Sequence, residues 1–337
     1  MTHELEVWLF SDRVGTLALV DGRLGFCYTA GWLSRPNAVA LSHSLPLRTE
    51  PFDDRTTRPF FAGLLPEGQM RRLIARQFQV SGQNDFALLD RIGGECAGAV
   101  TFLAPGQSLP TPEQTGGVLW LRDEDVVAVL DELPRRPMLA GKDGLRLSLA
   151  GAQDKLPVVF DGTRLGLPLN GTPSSHILKP PIDAVEDSVV NEGFCMALAE
   201  ALQLKPAMAS VHAVLNRPFL LVERYDRVLD AQGCRQRLHQ EDFCQALGVV
   251  PEMKYQNEGG PDLVKGPARR RMLELANSLP RAARALQSDR THGFAGNGVV
   301  ERIVALIEQR CALTLRKLSA PLSAPTSRDG DSSASPQ

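Results

Sequence analysis

The chain has 337 residues, with 37 Lys and Arg against 39 Asp and Glu and a formal net charge of −2. Hydrophobic residues make up 43% and charged residues 23%, the composition of a globular chain long enough for two or three cores. A balance so near neutrality gives no global field toward nucleic acid or a membrane surface, so any DNA contact must be local or supplied by a partner. Cys27, Cys96, Cys195, Cys234, Cys244 and Cys311 form no CxxC and share no metal-ligand spacing with the histidines. Free thiols are expected. With neither a basic-then-apolar leader nor a membrane-length apolar run, the reading is a cytoplasmic protein without a membrane segment.

Taken in order, Leu5, Val7 and Leu9 alternate with Glu4, Glu6 and Trp8, the period of a strand. Val14 to Val20 and Arg23 to Tyr28 flank Asp21-Gly22, a two-residue hairpin signal. A helix enters near Phe60. Met70, Leu73, Ile74 and Phe78 mark another over Glu67–Phe78, with Arg71, Arg72 and Arg76 on a face expected to be solvated. Asp85 to Ile92 reads as a short helix stopped by Gly93-Gly94 in a left-handed cap, followed by a strand over Ala99–Leu103. A Pro/Thr/Gly-rich loop runs from Pro105 to Gly117, and Asp123 to Leu133 is helical with acids in its first turn. Arg135 to Gly144 has linker character, so one domain is placed at 1–134 and a second at 145–318. In the second, His176–Lys179 is a short strand halted by Pro180-Pro181, and Val189–Leu202 is a helix. Two strands follow, joined across Asn216-Arg217-Pro218, and Glu241–Leu247 is helical. Pro267–Leu286, kinked or split at Pro280, and Val299–Leu318 are long helices. Residues 319–337 are a Ser/Pro/Ala/Asp-rich tail expected to be disordered.

The stretch with most chemical content is Arg146 to Phe160, RLSLAGAQDKLPVVF, which reads as strand, small-residue turn, strand. Ala150, Gly151 and Ala152 leave the backbone N–H groups bare enough to lie over a polyphosphate, with Gln153, Asp154 and Lys155 at the exit. It is not a Walker loop: GxxxxGK[ST] is absent and a strand follows rather than a helix. On local pattern alone an ordinary hairpin with a small-residue turn is the favoured reading. Lys179 ends its strand where a kinase lysine neutralises phosphate oxygens, or else is a surface lysine before Pro-Pro. Glu192 on the following helix either pairs with it, as a kinase helix-C glutamate does, or is an ordinary helix-surface glutamate.

The segment Arg146–Lys155 resembles the phosphate loop of the HipA family of serine/threonine kinases, the toxin partners of bacterial toxin–antitoxin pairs. FFAGLLPEG (60–68), RIGGECAGAV (91–100), HILKPP (176–181), LLVERYDR (220–227), HQEDFCQALG (239–248) and KYQNEGGP (254–261) carry the likeness in the family's order. The resemblance implies an α+β, HipA-like fold. In it an N-terminal antiparallel β-rich domain precedes a protein-kinase-like small lobe and a truncated, mostly helical large lobe. It also implies ATP binding by Ala150, Gly151, Ala152, Gln153, Asp154, Lys155, Lys179 and the hinge Glu223, Arg224, Tyr225, with Mg²⁺ weak or lost. Ser148 matches the family's autophosphorylated serine. The partners implied are a HipB-like helix-turn-helix antitoxin, through it operator DNA, and a translation-related protein substrate.

Phosphoryl transfer needs a carboxylate for the attacking hydroxyl and side chains that hold metal against the phosphates. The family's Asp-x-His-x-Lys-Asn loop and its later Tyr-Asp are missing, as if a segment near 262–267 had been deleted, and no catalytic residue is identified. Asp289, His292 and Asn297 have the wrong spacing to replace them, and Glu241 and Asp242 point apart on a helix. The expected function is therefore an ATP-binding HipA-like kinase impaired in catalysis. The alternative is a non-enzymatic protein that pairs with the antitoxin and tunes its operator binding.

Overall fold

The computed structural model describes residues 3–109, 117–255, 257, 267–288 and 294–319. They fall into two units, 1–262 and 263–337.

The first unit opens with three strands, β1 (His3–Leu9), β2 (Asp12–Val20) and β3 (Arg23–Tyr28). Asp21 and Gly22 both adopt positive φ, as a tight hairpin turn between twisted strands requires. The strand β4 (Val100–Leu103) returns to pair with β1, giving an antiparallel sheet of order β3-β2-β1-β4. Helices α1 (Ala30–Leu33), α2 (Asp54–Ala62), α3 (Gly68–Gln77) and α4 (Asp85–Ile92) lie between β3 and β4 in the chain. Phe26, Phe52, Phe60, Phe61 and Phe102 are all buried, and Phe26, Phe61 and Phe102 meet ring to ring. Two details depart from expectation. Arg71 is not solvated, because Asp85, buried at the start of α4, accepts from both Arg71 and Arg58. Gly93 ends α4 with φ −79°, not in the left-handed region, since the carbonyl of Leu89 already takes its N–H.

A six-stranded antiparallel sheet of order β5-β7-β6-β8-β10-β9 forms the second half of this unit. It comprises β5 (Val118–Trp120), β6 (Leu156–Phe160), β7 (Leu165–Pro168), β8 (His176–Lys179), β9 (Ala209–Val214) and β10 (Arg217–Glu223). Helix α5 (Asp123–Glu132) follows β5, and α6 (Ser188–Ala201) packs on β9 and β10. One face carries Leu156, Val158, Leu178, Phe219 and Leu221 into the core that the first sheet also shares. The other, with Ile177, Leu220 and Val222, meets Val189 of α6. Met138, Leu139 and Ala140, read as linker, are buried in the shared core. A two-stranded ribbon, β11 (Arg227–Leu229) with β12 (Arg235–Arg237), and the short helix α7 (Phe243–Leu247) complete the unit.

The expected hairpin over Arg146–Phe160 does not form. Of the two arms, only β6 is a strand. Leu147 and Gly151 instead make isolated parallel bridges to Glu95 and Pro66. The alternation of Leu145, Leu147 and Leu149 was a true burial signal, since all three are buried. The hydrogen-bond partner was misjudged: period 2 reports an extended chain without saying which chain it pairs with.

In the second unit α8 (Pro267–Ser288) and α9 (Gly298–Ser319) pack together, and Arg284 of α8 bonds Glu308 of α9. Helix α8 runs unbroken through Pro280. Asp289, His292 and the tail from 320 onward lie outside the described residues, as do 258–266, where the deletion was inferred.

Candidate nucleotide-binding site

The segment leading into β6 is strapped onto the N-terminal half. Glu95 N–H donates to the Arg146 carbonyl at 2.7 Å, and Ser148 N–H returns a bond to the Glu95 carbonyl at 2.9 Å. Ser148 is wholly buried, its Oγ donating to the Leu64 carbonyl at 2.8 Å. The Glu67 N–H donates to the Gly151 carbonyl at 3.1 Å. Gly151 has φ +106°, a conformation that favours glycine, and a Cβ there would lie 2.7 Å from the mobile end of the Lys155 side chain. The cradle under the small-residue turn is thus filled by an ammonium group, which donates to the Ala150 carbonyl. Burial first, and then the charges of Lys179 and Lys254 against those of Glu67 and Glu192, push the Lys155 amine down to about 8. Asp154 beside it is raised by burial and by Asp183.

Lys179 lies at the end of β8 and forms an ion pair with Glu192 of α6. It shares the sheet face of Ile177, Leu220 and Val222, onto which α6 packs, as their register on β8 and β10 requires. The strand thus places a cation at the edge of an apolar wall, next to the lysine-filled turn.

Glu223, Arg224 and Tyr225 follow β10, but their side chains diverge. Glu223 is exposed and its N–H donates to the Met208 carbonyl. Tyr225 is 69% exposed, its hydroxyl donating to Gln240. Arg224 turns inward to a buried charge cluster. Its guanidinium donates to Asp226, Glu95, Ser174 and the Cys96 carbonyl. Arg227 and Arg237 bond the same Glu95 carboxylate at 2.8 and 2.6 Å. Burial alone would raise Glu95, but Arg237, Arg227 and Arg224 outweigh it and hold the carboxyl far below the usual range. Asp226 accepts from the N–H of Gly98 at 2.8 Å, where φ is +74° and a Cβ would press on Gln240. As a phosphate or adenine contact, Arg224 therefore has only its backbone to offer, and its N–H is bonded to Ser175.

Residues 5–103 match the HipA N-terminal domain and residues 147–294 the HipA-like C-terminal domain. The chain belongs to the HipA family. It is 51% identical over 262 residues to a Sinorhizobium fredii protein named "Putative kinase Y4mE", covering 76% of this chain and 62% of that one. It is 29% identical over 283 residues to the serine/threonine-protein kinase toxin HipA of Shewanella oneidensis, covering 82% of this chain and 63% of the relative. In a solved complex of Shewanella oneidensis HipA with HipB and its operator DNA, one chain matches with a TM-score of 0.63 at 26% identity. That match covers 84% of this chain and 67% of the other. The chain thus spans under two thirds of the length of these curated relatives.

The blocks that carry the HipA likeness turn out to be mutual contacts. FFAGLLPEG holds the Arg146–Lys155 segment through Leu64 and Glu67, and RIGGECAGAV receives LLVERYDR through Glu95 and Gly98. HQEDFCQALG reaches back to the N-terminal half, Gln245 donating to the Phe60 carbonyl at 2.8 Å and His43 N–H donating to Glu241 at 3.0 Å. Glu241 is spent there, and Asp242 caps α7. Glu67, Glu95 and Lys254 were not singled out in the sequence, although each stood inside a quoted block. Lys254 bonds both carboxylate oxygens of Glu67, at 2.8 and 2.6 Å. For Mg²⁺, no three His, Cys, Asp or Glu side chains among the described residues converge to hold a metal. For a nucleotide polyphosphate the fit is better: Lys155 and Lys179 act on each other's charge beside the small-residue turn.

Proposed function

We propose that the chain is a nucleotide-binding HipA-type lobe. In this reading ATP or ADP lies with its phosphates at Ala150–Lys155 and Lys179, and its base by the backbone of Glu223–Tyr225. The observation that carries the reading is the Lys179–Glu192 ion pair beside the glycine cradle filled by Lys155. A lysine fixed by a helix glutamate is the arrangement that presents a point charge to phosphate oxygens. When bound, Mg²⁺ would supply charge neutralisation, but the described residues give no ligand set for it, and protein phosphorylation is impaired in this reading. Loss of a positioned general base alone is typically worth about 10²–10⁴-fold in rate. Titration of ADP by calorimetry tests the binding. Lys179→Ala should lower the affinity at least about tenfold, the effect of losing one charge-assisted contact. Equal heats for both proteins would remove Lys179 from the site. Incubation with radiolabelled ATP should leave Ser148 unlabelled within minutes, and rapid stoichiometric labelling would overturn the claim of impairment.

A second reading has its own support. The solved Shewanella relative lies in a complex with HipB and operator DNA. We infer from this that the chain also pairs with a HipB-like helix-turn-helix partner, which would supply the DNA contact that a net charge of −2 does not. Co-purification with a HipB-like helix-turn-helix protein, followed by gel shift of that protein's operator, decides this. Unaltered operator binding with and without the chain would exclude it.

A further inference from the structure

The phosphate-loop reading leaves one residue unexplained, and it comes from the other half of the unit. Glu67 stands at the N-cap of α3, yet its side chain makes no capping bond there. Both ends of the residue are spent on the loop region instead. Its N–H bonds the Gly151 carbonyl at 3.1 Å, and its carboxylate takes Lys254 with both oxygens. The next residue, Gly68, has φ +56° and an absent Cβ that would rest 3.8 Å from Ala152, so α3 begins against the turn itself. An ordinary salt bridge between two chain segments would need only the carboxylate. The backbone bond and the glycine approach place Glu67 on the loop.

Five charged groups influence Lys155: Glu67 at α3, Lys254 in the turn 251–253 and beyond, Lys179 on β8, Glu192 on α6, and its neighbour Asp154. Glu67 and Glu192 favour the ammonium form, while Lys179 and Lys254 oppose it. Glu192 is paired with Lys179 and Glu67 with Lys254, and Glu67 is the one that also bonds the loop's own backbone, through its N–H to Gly151.

We propose that Glu67, contributed by the N-terminal half, is a positioning residue of the phosphate loop: its N–H fixes the Gly151 peptide, and its carboxylate, held by Lys254, sets an anionic charge among the lysines that a phosphate would meet. The proposal rests on the reading that Ala150–Lys155 receives a polyphosphate. It makes nucleotide affinity depend on how the two halves of the unit are held, because one residue serves both the strap and the charge.

The test is the pH profile of ADP affinity for the full chain, measured by calorimetry from about pH 6.5 to about pH 9.5, bracketing the depressed Lys155 amine. Affinity should fall as pH rises through about 8, where that amine loses its proton. In Glu67→Gln the falling limb should move to lower pH by roughly one unit, the scale of a single neighbouring charge. In Lys254→Gln it should move the opposite way, since an opposing cation is gone while Glu67 remains. Lys155→Arg should abolish the limb in either background, as guanidinium stays charged. Because Lys254→Gln keeps the Gly151 bond, it serves even where Glu67→Gln folds poorly. A uniform loss of affinity at every pH in Glu67→Gln, with no shift in Lys254→Gln, would reduce Glu67 to a strut and overturn the proposal. Absence of ADP binding by the parent chain across this pH range would instead remove the phosphate reading on which it rests.

Discussion

Two charge clusters join the N-terminal half of the first unit to its six-stranded sheet, and they are built from different cations. Around Glu95, three arginines converge on one carboxylate, all but Arg237 almost without exposure. Around Lys155, three lysines share the field of Glu67 and Glu192, with the Lys179 and Lys254 pairs 21–30% exposed. Arginine keeps its charge when buried and satisfies several acceptors through a fixed fork, so the first cluster has one protonation state and one geometry. Lysine is a point charge whose proton is lost more readily on burial, and Lys155, pushed down to about 8, is the member of the second cluster that pH would reach. On the proposed nucleotide-binding function, the difference separates a fastener from a receptor.

The sharpest way to break this contrast is Glu95→Gln. Three guanidinium groups would lose their shared anion, and disruption of a buried pair typically costs about 3–5 kcal/mol. Urea denaturation should show that loss. A change under about 1 kcal/mol would mean the arginines find other partners. The sign with pH follows from the depressed carboxyl. The stabilisation from Glu95 is present above the unfolded value of about 4.5 and is lost as pH falls below it, so the acid limb of the parent should flatten in Glu95→Gln.

Arg237→Lys sharpens the comparison by keeping the charge and removing the fork. Arg237 bonds the same carboxylate oxygen through Nε and Nη2, at 2.9 and 2.6 Å, and also the Gly171 carbonyl at 2.8 Å. Loss of part of this set should cost about 1–3 kcal/mol, read from the urea midpoint. Ser148→Ala removes one buried bond to Leu64 and should cost about 1 kcal/mol. Trypsin cleavage at Lys155 should quicken, reporting a loosened strap. Lys254→Gln should change stability least, below about 1 kcal/mol for a partly exposed pair, while still moving the pH limb of ADP binding. A larger stability loss there than in Arg237→Lys would reverse the assignment of fastener and receptor.

Much of the site was legible because its cues are local. Lys179 and Glu192 stand 13 residues apart on a strand and the helix after it, and the ion pair they form follows from that order. Ala150–Ala152 announced a bare backbone by composition. Arg224 shows the limit. It sits in a block that resembles a hinge, but an exposed hinge arginine and one buried in an ion cluster have the same one-letter text. What separates them is Glu95, 129 residues away.

The sequence by itself determined the strands and helices with clear period, the Asp21-Gly22 turn, the family, and the residues that present charge near the small-residue turn. Those features depend on backbone preference and on neighbours within a few residues. The tertiary structure alone decided that Leu147 and Gly151 pair with Glu95 and Pro66 rather than with β6, that 138–140 are core, and that the Glu67 N–H bonds the Gly151 carbonyl. Each depends on which segments share one unit, and a period along the chain carries no record of the partner across it.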